Sequence, residues 1–200
     1  CEGLKDSGVK VINIGMGPTP MTYFAHYHFE ADAAVMLTGS HNPSEYNGFK
    51  MVFNKHSFYA EDILSLQKLL DNNELELAEG QIINQDITEE YIERDLLNIS
   101  LNRKLKIAWD PGNGAMGKVT RKITEKLFNS ENIIINEEVD GNFPNHHPDP
   151  TVPKNMIQLI AAVKENNCDI GLAFDGDGDR LGVIDNLGNI VWADQYMLLL

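Results

Sequence analysis

Three carboxylates fall within five residues, Asp175, Asp177 and Asp179, separated by Gly176 and Gly178 and followed by Arg180, directly after the apolar run Ile170 to Phe174. Such groups repel one another unless a cation gathers them, and the interleaved glycines let the backbone curl until the oxygens converge. All-oxygen ligation points to Mg²⁺ first and Ca²⁺ second. An EF-hand loop starting at Asp175 would need Gly at its sixth position and Glu at its twelfth, where Arg180 and Asn186 stand.

A second constellation lies far upstream. Thr38-Gly39-Ser40-His41-Asn42-Pro43 follows the apolar run Ala34 to Leu37 and precedes Asn47-Gly48-Phe49-Lys50. Gly, Asn and Pro make a tight turn, and in open α/β sheets such strand ends are where ligands bind, so the Ser40 hydroxyl is a candidate group. The same composition also suits an ordinary Ser/Asn turn. An esterase elbow fails, because Thr38 and Asn42 occupy the positions where G-x-S-x-G requires glycine. His41 and Lys50 offer groups that move a proton on a hydroxyl or hold a phosphate. Each alone is an ordinary surface side chain, and its meaning depends on the loop being a site.

Three further turn-rich strand exits, Gly15 to Pro20, Asp110 to Gly114 and Phe143 to Pro150, read as structural. His146 and His147 lie in the last one among three prolines, with no Cys or Glu at ligand spacing, which fits a packed loop better than a metal site.

The elements that must carry these loops follow from apolar periodicity. Strands are expected at Val9 to Ile14, Ala34 to Leu37, Phe49 to Phe53, Leu105 to Trp109, Ile133 to Ile135, Ile170 to Phe174 and Leu181 to Ile184. Helices are expected at Met21 to Ala34, Ala60 to Leu70, Glu89 to Ile99, Gly117 to Phe128 and Pro153 to Glu165. This alternation predicts an α/β class with two consecutive layered domains. Polar stretches at Asp71 to Asp86 and Asn98 to Lys104 put the domain boundary near residue 98, and the run between Gly188 and Asp194 is expected to open a third unit.

Composition narrows the partners. Of 200 residues, 42% are hydrophobic, which suits a globular core. The 30 acidic against 16 basic side chains leave a net charge of -14. That field repels phosphate backbones and anionic lipid heads, so neither nucleic acid nor membrane is an expected partner. Residues 61–100 hold 11 acidic and 2 basic side chains, a pattern read as a solvated helical face. Two distant cysteines, Cys1 and Cys168, give no disulfide framework and suit a reducing, cytoplasmic setting. No apolar run approaches a membrane span and no signal peptide is visible. The chain opens on Cys1 and stops in the apolar run Met197 to Leu200, which reads as a piece of a longer polypeptide.

With these motifs in hand, the sequence resembles the α-D-phosphohexomutase family, in its bacterial phosphomannomutase/phosphoglucomutase branch. The family's phosphoserine loop, T-[AG]-S-H-N-P followed by N-G-x-K, is matched at Thr38 to Pro43 and Asn47 to Lys50. Its D-G-D-G-D-R metal loop is matched at Asp175 to Arg180, and the branch's F-P-N-H-H-P-D-P stretch at Phe143 to Pro150. The resemblance implies four α/β domains around a cleft. This chain would hold the later part of the first (1–97), the second (98–189) and the start of the third (190–200).

It also implies that Ser40 carries a phosphoryl group and exchanges it with a phosphosugar substrate through a glucose or mannose 1,6-bisphosphate. Mg²⁺ would be held by Asp175, Asp177, Asp179 and an oxygen on Ser40, with His41 and Lys50 assisting proton transfer and Arg180 contacting the phosphoserine region. Two alternatives stay open. A haloacid-dehalogenase-type phosphatase shares a strand-borne D-x-D but usually continues with Thr or Val where Gly178 stands, and a non-catalytic metal-binding fragment needs only the carboxylates.

Overall fold

The computed structural model describes residues 1–72 and 77–199. The first half of the chain runs α1 (Glu2–Lys5), β1 (Lys10–Asn13), α2 (Thr19–His28), β2 (Ala33–Leu37), β3 (Phe49–Phe53), β4 (His56–Phe58), α3 (Glu61–Asp71), β5 (Gln81–Asn84) and α4 (Thr88–Leu96). The second runs β6 (Leu105–Asp110), α5 (Met116–Lys126), β7 (Ser130–Ile134), α6 (Ile157–Asn166), β8 (Ile170–Phe174), β9 (Leu181–Asp185), β10 (Ile190–Val191) and α7 (Ala193–Tyr196). Both halves are layered α/β.

Among the described residues the strands form three sheets. Parallel β1 and β5 pair with each other, β2, β3 and β4 form an antiparallel meander, and the largest sheet has the order β10-β9-β8-β6-β7. In that sheet β7, β6 and β8 are parallel, β9 runs antiparallel to β8, and β10 runs antiparallel to β9. The acidic loop is therefore the tip of the β8-β9 hairpin, and it leaves β8 beside the end of β6, where Asp110 lies.

Two cores hold these elements. In one, Met156, Leu159 and Val163 pack on Ala108, Ala173 and Ile184 of the large sheet, all at most 3% exposed. The other joins the halves: Met21 and Ala25 of α2 meet Tyr91 and Ile92 of α4 and Met116 and Val119 of α5, beside Ile87. Through this second core the start of α2 is fixed against the start of α5, close to the acidic loop.

Several expectations shift in the structure. Helix α2 ends at His28 rather than reaching Ala34, because Phe29 caps it and Glu30 turns left-handed with φ 49° before β2. The polar stretch from Asp71 to Asp86 contains β5, whose partner β1 lies 71 residues upstream, so no local apolar period announces it. Residues 73–76 of that stretch lie outside the described residues, as does Leu200. The run at Ile190 and Val191 pairs with Ile184 and Val183 of β9 across a turn in which Asp185 accepts the backbone N–H groups of Leu187 and Asn189. Among the described residues no helix is long and apolar enough to cross a membrane.

Candidate active site

The Ser40 turn is held by one hydroxyl, that of Thr38, and by backbone hydrogen bonds. The Ser40 N–H donates to Thr38 Oγ1 at 2.7 Å, Asn42 N–H donates to Gly39 O, and Thr38 N–H closes the loop on Gly48 O. Ser40 takes φ 53°, a left-handed conformation that non-glycine residues hold only where the surroundings enforce it. Gly39 is required by space, since a Cβ there would lie 2.7 Å from Tyr46 O.

The acidic loop is a tight hairpin tip. Gly178 has φ 72° and its N–H donates to Asp175 O, while Asp175 Oδ1 accepts the N–H groups of Asp179 and Arg180. A Cβ on Gly176 would stand 2.2 Å from Ser40 O, and one on Gly178 would stand 2.9 Å from Pro18 Cβ. Both glycines thus mark close approach by segments far upstream, Ser40 at Gly176 and Pro18 at Gly178.

The two constellations meet. Ser40 Oγ lies 3.2 Å from Asp175 Oδ2 and 3.3 Å from His41 Nδ1. Lys50 Nζ bridges Asp177 Oδ2 and Asp179 Oδ2, each at 2.6 Å. Arg180 stands slightly apart: its backbone serves Asp175, while its guanidinium faces Asp149 at 3.7 Å, on the side where the field of His41 also reaches Asp149.

Electrostatics follow from burial and pairing. Burial pushes the Asp175 carboxyl up to about 6, against its backbone hydrogen bonds and with the repulsion of Asp177 and Asp179 adding to the rise. Asp177 is also buried, yet the donors on it, Lys50 first and Thr19 next, hold its carboxyl below the usual range. Burial would lower Lys50, but its two carboxylate partners keep it raised, so it is charged.

The donor set fits a hard divalent cation. One ligand oxygen from each of Asp175, Asp177 and Asp179 lies within 4.8 Å of the others. That spacing is compatible with shared metal-oxygen distances of about 2.0 to 2.6 Å. Independently, Asp177 is 2% exposed and its Oδ1 has no hydrogen-bond partner among the described residues. An unpaired buried carboxylate oxygen is costly unless a cation answers it.

Two motifs read as structural turn out to brace this site. Asp110, fully buried, accepts Gly112 N–H and Asn136 Nδ2 on Oδ1, and meets His146 Nε2 at 2.9 Å on Oδ2. This ties the Phe143 to Pro150 loop to the end of β6. Thr19, in the Gly15 to Pro20 exit, donates its hydroxyl to Asp177 Oδ2 at 2.6 Å and its N–H to Asp177 O at 2.8 Å. Sequence reasoning missed Thr19. The only signal was a hydroxyl residue at a strand exit that opens a helix.

Comparison with known proteins places the chain in a family. Models of the phosphoglucomutase/phosphomannomutase alpha/beta/alpha domains match the chain at residues 1–75 for domain I and 88–188 for domain II. A phosphomannomutase/phosphoglucomutase of Pseudomonas putida is 48% identical over 99% of this chain, and a phosphoglucomutase of Neisseria meningitidis serogroup B is 44% identical over 99%. A crystal structure of a phosphoglucomutase/phosphomannomutase family protein from Burkholderia thailandensis superposes with a TM-score of 0.92 at 40% identity over 99% of this chain. The chain spans 42% and 43% of the two curated relatives and 45% of the solved chain. The chain belongs to the phosphoglucomutase/phosphomannomutase family, of which it carries α/β/α domains I and II.

Proposed function

We propose that this chain supplies the phosphoserine and metal half of a phosphohexomutase that interconverts hexose 6-phosphate and hexose 1-phosphate, with mannose and/or glucose as the sugar. The observation that carries the reading is the 3.2 Å approach of Ser40 Oγ to Asp175 Oδ2, across 135 residues of sequence. Neither an isolated serine turn nor a bare cation loop requires it.

In this reading Ser40 Oγ carries a phosphoryl group. The P–Oγ bond breaks as a P–O bond to a hydroxyl of the hexose phosphate forms, giving a 1,6-bisphosphate, and the hydroxyl's proton passes, net, to the freed Ser40 Oγ. The bisphosphate then returns its other phosphoryl group: the P–O bond to the sugar breaks as the P–Oγ bond forms, and the Ser40 proton passes, net, to the freed sugar oxygen. His41 Nδ1, at 3.3 Å from Ser40 Oγ, is placed to relay that proton to and from the serine. Lys50, held charged by two carboxylates, suits stabilisation of developing negative charge. Asp175, Asp177 and Asp179 would hold Mg²⁺, which neutralises charge on the moving phosphoryl group when bound. Arg180 is assigned the approach to the phosphoserine through the Asp149 and His41 side. The setting is cytoplasmic, a placement supported by two unpaired cysteines.

The test is made on the full-length protein. Labelled hexose 1,6-bisphosphate should leave phosphate on Ser40, and Ser40→Ala should abolish both labelling and turnover. Turnover that survives Ser40→Ala with an intact metal site would instead favour an aspartate nucleophile, as in the phosphatase reading.

A further inference from the structure

The two oxygens of Asp177 live in different surroundings. Oδ2 accepts three donors: Thr19 Oγ1 at 2.6 Å, Lys50 Nζ at 2.6 Å and Thr38 Oγ1 at 3.0 Å. Oδ1, equally buried, has none among the described residues. Thr19 itself is fully buried and grips Asp177 twice, by hydroxyl and by backbone, while Pro18 packs against Gly178. Thr38 is a relay, because its hydroxyl accepts Ser40 N–H and donates to Asp177.

We infer that Thr19 and Thr38 are positioning residues that hold Asp177 to a single free oxygen, and that this makes the site discriminate Mg²⁺ from Ca²⁺. The inference rests on the reading of the three aspartates as a cation site, and goes beyond it by naming what sets its selectivity. Asp175 follows the same rule through its backbone, spending Oδ1 on two N–H groups while Oδ2 faces Ser40 Oγ, whereas Asp179 is held at Oδ2 by Lys50.

A cation that displaces Lys50 therefore meets two carboxylates, Asp175 and Asp177, each with one oxygen committed to fixed neutral donors. Mg²⁺ takes six ligands in a tight octahedron and readily keeps waters in the remaining places. Ca²⁺ takes six to eight and gains from bidentate carboxylates, which the fixed donors deny it at Asp175 and Asp177. Lys50 is a poor keeper of that restriction, since an arriving cation repels its ammonium. The neutral hydroxyls of Thr19 and Thr38 are not displaced in that way.

The experiment is calorimetric titration of the whole chain with Mg²⁺ and with Ca²⁺, for the unaltered protein, Thr19→Val, Thr38→Val, the double variant, the serine replacements and Asp177→Asn, each checked for folding by circular dichroism. In the double variant the ratio of Ca²⁺ to Mg²⁺ affinity should rise about tenfold, the scale of one charge-assisted hydrogen bond, and serine at both positions should restore it. A ratio within about twofold of the unaltered protein in the folded double variant, even with both affinities lowered, overturns the inference and leaves only a structural role. If Thr19→Val fails to fold, Thr38→Val alone decides: a ratio raised about threefold supports the inference, and an unchanged ratio overturns it. If the unaltered chain shows no cation binding that Asp177→Asn weakens, the site reading itself falls, and the inference with it.

Discussion

Replacing Gly176 with alanine tests whether the serine loop and the acidic loop act as one site. The glycine is not demanded by its own backbone, which lies outside the left-handed region, so the methyl group is a purely steric probe. That methyl carbon would sit 2.2 Å from Ser40 O, against the 3.4 Å at which ordinary contact begins, so the loops must part by about 1.2 Å. The acidic loop has no room to retreat. Ala115 N–H is bonded to Gly176 O at 2.9 Å behind it, and a Cβ on Gly114 would already lie 2.7 Å from that oxygen. The shift falls on Ser40, whose hydroxyl is 3.2 Å from Asp175.

Overpacking of this kind costs about 1 to 3 kcal/mol of stability. A misplacement of about 1 Å at reacting groups costs on the order of 100-fold in rate. Stability is read from urea denaturation of this chain, and phosphoryl transfer from steady-state assays of the full-length protein. Gly141→Ala, with nothing within 4 Å of the added carbon, is the control. If Gly176→Ala matches Gly141→Ala in both stability and transfer, the two loops do not work at the distance described and the two-domain site is wrong.

Other outcomes follow from the same geometry. His146 is lowered by burial but raised overall by its bond to Asp110, so its folded value lies above the ordinary 6.5. Its contribution to stability should be complete below about pH 6.5 and fade as pH rises through the raised value; denaturation midpoints of the unaltered chain and His146→Gln should therefore converge with rising pH. A constant difference across that window would remove the ion pair from the account. Leu159→Ala, at a fully buried position between α6 and the large sheet, should cost about 2 to 5 kcal/mol in urea denaturation. A loss below about 1 kcal/mol would mean that α6 does not seat on that sheet as described.

The convergence of the acidic loop was legible in the residues because it is local. Three carboxylates spaced by glycines after an apolar strand announce a cation loop, since short-range repulsion and chain flexibility act within six residues. Strands β3 and β8 coincide with the apolar runs that foretell them, because burial of a short run is written in its own side chains. What sequence could not supply was everything decided by partners far along the chain. Strand β5 exists through pairing with β1, and β10 through pairing with β9. His146 reads as a loop residue until Asp110 is seen against it, and Thr19 as a turn residue until Asp177 lies 2.6 Å from its hydroxyl. The resemblance to a family named which loops matter. Only the packing of α2, α4 and α5 into one core determined that a serine and three aspartates 135 residues apart would face one another, because hydrophobic burial between helices carries no local sequence record of which distant polar loops it brings together.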